Sequence, residues 1–191
     1  ADTVLLFVGN HPIADDGWEK TKRPEYGKEA VDREIITLAD EDLVKAVYAV
    51  NPRAILVLVS SFPYAINWSQ QNLPAILHVT HNSQEMGNAI ADVIFGDYSP
   101  AGRLTQTWVK ALEDLPPMMD YDIRNGRTYM YFGGEPLYPF GYGLSYSRFE
   151  YSDFEVSSLT NPDEPVVATL TLKNVGSFNG DEVVQIYAEF P

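Results

Sequence analysis

The stretch "EAVDR", Glu29 to Arg33, holds the residues whose types and spacing best suit catalysis. Asp32 and Arg33 are adjacent and can satisfy one another, which leaves the Glu29 carboxyl free to project. A carboxyl that lies near, but outside, a strong ion pair can keep its proton until a departing oxygen needs it, as the general acid of glycoside cleavage must. Glu25 is the second candidate. Because ExxDR is short and common and by itself is more typical of a solvated turn, the surrounding sequence must decide.

Other kinds of catalytic site find little support in the chain. It contains no cysteine, so disulfides, thiolate nucleophiles and thiolate metal sites are excluded. The turn "FVGNHP" lacks the glycines of a dinucleotide cradle, and neither a phosphate-binding GxxxxGKS loop nor a GxSxG nucleophile elbow occurs. His11 has no second histidine at a metal-ligand spacing. Carboxylate chemistry remains, and neither a metal nor a cofactor is expected.

The charge balance excludes two classes of partner. The chain carries 27 acidic and 13 basic side chains, for a formal net charge of -14, and no segment concentrates Lys or Arg. Nucleic acids and anionic membranes are therefore not expected partners. No apolar run approaches the roughly 20 residues of a membrane-spanning helix. The hydrophobic content of 45% predicts a folded protein.

The first part of the chain has the pattern of an α/β domain. Three short, nearly continuous apolar runs, Thr3–Gly9, Arg53–Ser60 and Ala75–Thr80, predict parallel strands that are covered on both faces. "DEDLVKAVYAVNP" predicts a crossover helix with a buried stripe of Leu43, Val44, Val47 and Val50, and "NSQEMGNAIADVIFG" predicts a second helix, with Asn82 and Glu85 at capping-box spacing. "GRLTQTW" suggests a further strand. Ligand loops of such a sheet lie at the carboxyl ends of its strands, and the charged stretch follows the first of these ends.

The pattern changes twice in the second half of the chain. Residues 112–148 are irregular and rich in Pro, Gly and Tyr, which predicts an ordered strap across a surface. From residue 149 onward, "FEYSDFEVSSL", "VVATLTLKNVG" and "DEVVQIYAEF" alternate apolar with polar residues. Three such strands are too few to close a β-sandwich. The sequence therefore predicts an α/β domain over residues 1–148 and a truncated β-sandwich over 149–191, in a chain that is a fragment at both ends.

Long blocks of the sequence carry a family resemblance. "NAIADVIFGDYSPAGRLTQTW", "DLPPMMDYD", "GRTYMYF" and "EPLYPFGYGLSYSRFEYSDF" resemble, in content and in order, the C-terminal half of glycoside hydrolase family 3. The similarity covers essentially all 191 residues. The resemblance implies a flavodoxin-like three-layer α/β sandwich with a mainly parallel sheet, followed by part of a fibronectin type III-like module. It also implies an N-terminal TIM-like barrel as a partner domain of the same protein.

The same resemblance implies a division of catalytic roles. In the family the nucleophile is an Asp on the barrel, which this chain does not contain, and the acid/base comes from a loop of the sandwich domain. In the xylosidase-like branch that loop reads roughly GNxP, a variable stretch, and then ExxDR. Here "GNHP" is followed by "EAVDR", which places the acid/base on Glu29. The intervening stretch is longer than usual, so Glu25 stays the runner-up.

The expected function is that of a retaining exo-β-glycosidase, either a β-xylosidase or a β-glucosidase. Trp18 and His81 are candidate substrate contacts, since Trp18 can stack on a sugar and His81 follows the third strand. His78, within that strand, is predicted to be a core side chain. The alternatives are a non-catalytic carbohydrate-binding domain of the same fold and a flavodoxin-like nucleotide binder, which the missing phosphate loop disfavours. A secreted or periplasmic location is expected, and a homodimer is compatible with the resemblance.

Overall fold

The computed structural model describes residues 1–10, 35–157 and 164–189. The chain forms two compact units. The first unit contains Ala1–Met86 and Leu104–Tyr142, and the second contains Gly87–Arg103 and Gly143–Pro191. Each unit is described by itself below.

The first unit is built on a parallel sheet, as predicted. Among the described residues its strands are β1 (Val4–Gly9), β2 (Ala54–Val59) and β3 (Ala75–Val79), in the order β1-β2-β3. Val4 pairs with Ala54 at the start of the β1–β2 ladder. The runs are apolar on both faces because parallel strands are normally covered on both sides. Because the three strands are parallel, their carboxyl ends lie along one edge of the sheet.

One face of the sheet carries the core of the first unit. Its buried members are Val8, Leu38, Val44, Leu56, Leu58, Tyr64, Ile66, Trp108 and Tyr138. Alternate residues of β1 and β2 enter this cluster, as expected for side chains that alternate across a strand. The aromatic members come from the segment after β2, from the stretch that precedes the strap and from the strap itself: Tyr64, Trp108 and Tyr138. Residues distant in sequence therefore pack against the sheet.

Helix α1 (Glu41–Val50) confirms the predicted crossover helix, but the buried face differs from the predicted one. Val44 is fully buried, whereas Leu43 is 50% and Val50 is 87% exposed. The packed side continues to Tyr48, one turn after Val44. The helix is thus rotated so that an amphipathic aromatic, rather than the two outer aliphatic side chains, meets the neighbouring element.

That neighbouring element is helix α2 (Asn67–Asn72), which the sequence analysis missed. Its Trp68 ring packs edge-on against Tyr48 with 5.5 Å between ring centroids. The buried Ser69 donates a hydrogen bond from Oγ to Glu41 Oε1 at 3.3 Å. A helix of six residues is too short to show a periodic apolar pattern, and tertiary contacts such as these stabilise it.

The stretch "GRLTQTW" does not form the predicted further strand. Leu104 and Trp108 run alongside the strap segment Leu137–Tyr142, with an isolated antiparallel bridge between Trp108 and Tyr138. The partner segment contains Pro139, which has no N–H to donate. A continuous ladder cannot form there, so Trp108 is held as an extended, buried residue outside any sheet.

The second unit begins with helix α3 (Met86–Phe95), of which all residues after Met86 belong to this unit. It confirms the predicted second helix, although the helix starts later than the capping-box spacing indicated. Asn82 does not begin the helix, because its Oδ1 accepts a hydrogen bond from Thr80 Oγ1 at 3.0 Å. Gly96, at φ +85°, follows the last helical residue in the left-handed conformation that ends many helices.

The same unit contains a small antiparallel sheet. In the described residues it consists of β4 (Phe149–Val156) and β5 (Ala168–Asn174), with an irregularity between Ser152 and Glu155. The predicted third strand is wrong for residues 181–189, which pair with neither β4 nor β5 as a strand. Alternation shows that a segment could lie on a half-buried sheet, but a strand also needs a partner edge. The α/β class with a separate antiparallel sheet is confirmed.

Two short segments of the second unit are joined by polar contacts. The loop after α3 reaches the chain that follows β5: Tyr98 Oη donates to Asp181 Oδ2 at 3.0 Å, and Arg103 Nη2 contacts both carboxylate oxygens of Glu182 at 3.0 and 2.9 Å. Only 10% of the Arg103 and 11% of the Glu182 side chain is exposed.

Among the helices described, none is long and apolar enough to cross a bilayer.

Candidate functional site

Three of the predicted site residues lie outside the described part of the chain. They are Glu29, Glu25 and Trp18. Their roles as acid/base, runner-up acid/base and sugar contact stay predictions. The fourth residue, His81, is described, together with the residue that immediately precedes the charged stretch, Asn10. The candidate site is therefore built from the carboxyl edge of the sheet.

The end of β1 is shaped by a glycine. Gly9 has φ +149°, and a Cβ atom at this position would collide with the carbonyl oxygen of Val59 on β2. Only glycine lets the two backbones approach this closely. The next residue, Asn10, donates its N–H to Val59 O at 3.1 Å and is 8% exposed. The chain is therefore held against β2 where it leaves the sheet.

Residues that follow three different strands meet at this edge. His81, after β3, lies with Nε2 2.5 Å from the carbonyl oxygen of Asn10 and with Nδ1 2.6 Å from Ser61 Oγ. Ser61, after β2, donates its N–H to Asn10 Oδ1 at 3.1 Å. We call this group the Asn10–Ser61–His81 cluster. Its hydrogen bonds form a closed ring that joins the loops after β1, β2 and β3.

The partners of His81 determine its proton positions. A carbonyl oxygen can only accept, so Nε2 must carry a proton and donate to Asn10. In the neutral ring Nδ1 then accepts from the Ser61 hydroxyl. A serine bound to an imidazole is also the pairing of a nucleophile with its base. Here the Ser61 N–H and both ring nitrogens of His81 are bonded within the cluster, which links the three loops.

The far side of the charged stretch is attached to the same part of the molecule. Ala65 donates its N–H to Ile36 O at 2.7 Å, and Thr37 forms a parallel bridge with Ala65. Ala65 and Ser61 both belong to the short segment between β2 and α2. Residues 61–65 thus contact the chain on both sides of residues 11–34.

His78, which was predicted to be a core side chain, is half-buried and packs against the core residue Trp108, and it is not part of the cluster. Its Nε2 lies 3.1 Å from Ser60 Oγ and 3.3 Å from Ser60 O, and its ring packs edge-on against Trp108 with 5.1 Å between centroids. Burial lowers the pKa of His78 below its ordinary value of 6.5, and the hydrogen bond to the Ser60 carbonyl opposes this. The neutral ring is thus favoured in the folded state.

The lowered pKa of His78 predicts that the protein loses stability in mild acid. Because the His78 pKa is lower in the folded than in the unfolded chain, the unfolded chain binds the proton first. The free energy of unfolding should be fully maintained above pH 6.5 and should fall as the pH drops below it, by at most about 1.4 kcal/mol per pH unit. Urea unfolding between pH 7.5 and 5 measures this, and His78→Gln should flatten the slope. Equal slopes for the two proteins would contradict the assignment.

The described residues include no group of three or more His, Asp or Glu side chains that could hold a metal ion. The residues that the sequence analysis missed at this edge are Asn10 and Ser61. A signal for both was available, since each is a polar residue placed directly after an apolar run. The residue that follows each of the three apolar runs is Asn10, Ser61 or His81, so comparing these positions would have grouped the three residues.

Comparisons with known proteins identify the family. A model described as the glycosyl hydrolase family 3 C-terminal domain matches residues 1–146. A beta-glucosidase of Rhizobium radiobacter is 33% identical over 210 residues, which include all of this chain and 24% of that protein. A xylan 1,4-beta-xylosidase of Xylanibacter ruminicola is 37% identical over 185 residues, 96% of this chain and 21% of that protein. The chain thus spans about a quarter of the length of these curated relatives.

Solved structures agree. The beta-glucosidase of Kluyveromyces marxianus is 31% identical with a TM-score of 0.73, over 94% of this chain and 22% of that one. The family 3 beta-glucosidase of Bifidobacterium adolescentis is 28% identical with a TM-score of 0.74, over 94% of this chain and 27% of that one. The resemblance inferred from the sequence blocks is confirmed. The chain belongs to glycosyl hydrolase family 3, and it corresponds to the C-terminal domain of that family.

Proposed function

We propose that this chain is the C-terminal portion of a retaining exo-β-glycosidase that removes terminal, non-reducing β-linked sugars. The observation that carries the proposal is the match of nearly the whole chain to proteins named beta-glucosidase and beta-xylosidase, of which it spans about a quarter. The rest of such a protein would include an N-terminal TIM-like barrel. Both glucose and xylose stay open as the sugar, because most residues around it would belong to that barrel.

The proposed reaction is a double displacement by two carboxyl groups. An Asp of the barrel attacks the anomeric carbon, while the protonated Glu29 carboxyl donates its proton to the departing glycosidic oxygen. A water molecule then gives a proton back to Glu29 and attacks the glycosyl-enzyme ester, so the sugar leaves with its β configuration retained. Retaining enzymes hold the two carboxyl groups about 5 to 5.5 Å apart. Supplying one of them is the contribution proposed for this chain.

The position of the charged stretch supports this role. It follows β1 at the carboxyl edge of a parallel sheet, where α/β proteins place their ligand-binding loops. The residues on both sides of it, Asn10 through its side chain and Ile36 through its backbone, are hydrogen-bonded to residues 61–65. Trp18 is proposed as a stacking contact for the sugar, and no cofactor is needed for the chemistry. A secreted or periplasmic location is proposed for the whole protein, since glycosidases of this kind meet oligosaccharides there.

The test is a comparison of the 191-residue chain with the complete protein. The chain alone should fold but should not hydrolyse 4-nitrophenyl β-glucoside or β-xyloside, because one carboxyl of the pair is missing. The complete protein should hydrolyse at least one of them. Proton NMR of the first product should show the β-anomer before mutarotation.

The control is a complete protein whose barrel nucleophile is replaced by alanine, which should be as inactive as the chain alone. Turnover by the purified chain, free of contaminating glycosidase, would contradict the proposed division of roles. A first product in the α configuration would instead contradict the retaining mechanism.

A further inference from the structure

We propose that His81 is a positioning residue for the acid/base: it clamps the carbonyl of Asn10, from which the chain enters the stretch that carries Glu29, to the loops after β2 and β3. This inference rests on the proposed function, in which a carboxyl of that stretch protonates the leaving group. In this proposal His81 does not make the sugar contact that the sequence analysis expected, but acts through its hydrogen bond to the backbone carbonyl of Asn10.

The first argument is that the hydrogen-bonding groups of His81 are used within the protein. Nε2 donates to Asn10 O at 2.5 Å and Nδ1 contacts Ser61 Oγ at 2.6 Å. A sugar hydroxyl could bind a ring nitrogen only by displacing one of these partners. The acceptor of Nε2 is moreover the carbonyl of a residue that is 8% exposed, and the loss of a donor to a buried carbonyl is destabilising.

The second argument is the place of this clamp in the chain. Asn10 stands between β1 and the charged stretch, and its backbone N–H, side chain and carbonyl are each bonded to a different partner. Two of these bonds are made to the end of β2 and to the loop after it, so they orient the chain relative to one neighbour. Among these three bonds, the one to His81 connects the chain to the end of β3. Without it, the direction in which the chain leaves the sheet loses that connection.

The third argument is that the opposite attachment is made to the same short segment that His81 contacts. Ile36, seven residues after Glu29, is held through backbone atoms by Ala65. Ser61, only four residues before Ala65, is the residue that His81 contacts with Nδ1. His81 therefore bears on both attachments: it binds Asn10 directly and holds the segment to which Ile36 is attached. A substitution at His81 should therefore weaken the attachments on both sides of residues 11–34.

Misplacement of a general acid has a specific kinetic signature. Substrates with poor leaving groups need protonation in the transition state, whereas a 2,4-dinitrophenolate departs without it. A shift of about 1 Å in a reacting group can cost on the order of 100-fold. In the complete enzyme, His81→Ala should lower kcat/KM for a methyl or alkyl β-glycoside by about 10- to 100-fold more than for the 2,4-dinitrophenyl β-glycoside.

Conservative variants separate the two nitrogens. The amide nitrogen of glutamine can take the place of Nε2, so His81→Gln should keep the bond to Asn10 and recover most of the ratio between the two substrates. The amide of asparagine reaches only the Nδ1 position, so His81→Asn should resemble His81→Ala. Ser61→Ala removes the hydroxyl that His81 Nδ1 contacts but keeps the hydrogen bond from the residue-61 N–H to Asn10. Its effect on the ratio between the two substrates should therefore lie between those of His81→Gln and His81→Asn. Thr80→Ala, an exposed neighbour outside the cluster, is the matched control and should leave the ratio unchanged.

The outcomes decide between distinct roles. If the ratio of kcat/KM between the two substrates is unchanged in both His81→Ala and His81→Asn, the proposal is overturned. An equal rise in KM for both substrates would then indicate that His81 contacts the sugar. An equal fall in kcat together with a lower Tm would instead indicate a purely structural role. Where His81→Ala does not fold, the comparison of the glutamine and asparagine variants decides. Failure of the proposed acid is separate: if Glu29→Ala slows both substrates alike, Glu29 is not the acid, while the His81 ratio still tests a different acid, such as Glu25, on the same stretch.

Discussion

Replacing Glu29 with alanine in the complete enzyme is expected to slow β-glycosides with poor leaving groups by a factor on the order of 10² to 10⁴. These substrates need a proton on the departing oxygen in the transition state. Activated aryl glycosides need less help, so their first step should survive better. Hydrolysis of the glycosyl-enzyme should then become limiting, because water has lost its base. The intermediate should accumulate, and KM for activated substrates should fall.

Azide provides the second measurement for this variant. As an anion it needs no general base, so it should accelerate turnover of an activated substrate by Glu29→Ala and yield a glycosyl azide of β configuration. Glu25→Ala should show neither rescue nor a selective loss on poor leaving groups. Asp32→Ala should act through the stability of the loop and change both substrate types alike. If Glu29→Ala slows good and poor leaving groups equally and azide has no effect, Glu25 becomes the residue to test.

The sheet could be predicted almost to the residue, and the reason is physical. A strand of a parallel sheet is apolar on both faces, so Arg53–Ser60 is recognisable as an uninterrupted apolar run. The observed β2 (Ala54–Val59) differs from this prediction by one residue at each end. The helix before this strand behaves differently. The stripe on α1 depends on which element packs against the helix, and the contact is made by Trp68 of a helix too short to leave a periodic signal.

The two predicted strands that are not observed failed for a related reason. "GRLTQTW" and "DEVVQIYAEF" have suitable local patterns, yet a strand exists only when a partner edge offers its N–H and C=O groups. Pro139 removes one such donor opposite the first segment. The second segment uses its initial acids, Asp181 and Glu182, to bind Tyr98 and Arg103 instead. Such contacts join residues about 80 positions apart, and no local pattern reports them.

The candidate site shows the same limit in another form. The motif containing Glu29 could be found because its chemistry is compressed into five consecutive residues. The Asn10–Ser61–His81 cluster spreads over three loops, and its members share only their position within two residues of the end of a strand. His81 was recognised as a residue of this edge, but its role as a hydrogen-bonding link could not be foreseen, since both of its partners are defined by the register of the sheet.

A second large effect is expected where Arg103 meets Glu182 in the second unit. Both side chains are about nine-tenths buried, and one nitrogen of Arg103 contacts both oxygens of Glu182. Glu182→Gln keeps the shape of the side chain but leaves the guanidinium without a counter-charge. Removing one member of a buried pair typically costs about 3–5 kcal/mol, because the remaining charge is still desolvated. The free energy of unfolding of the second unit should fall by about this amount.

The two units allow this effect to be located. The residue ranges of the second unit contain no tryptophan, so tryptophan fluorescence reports unfolding of the first unit, and hydrogen exchange of the β4 and β5 amides reports the second. In Glu182→Gln these amides should exchange roughly 100- to 4,000-fold faster, since every 1.4 kcal/mol is a factor of ten. The double variant Arg103→Met/Glu182→Leu is the control: it removes both charges and fills the same space, so it should recover much of the protection, as replacement of buried pairs by apolar residues often does. If the single and the double variants lose equal protection, the cost lies in side-chain packing and not in the stranded charge.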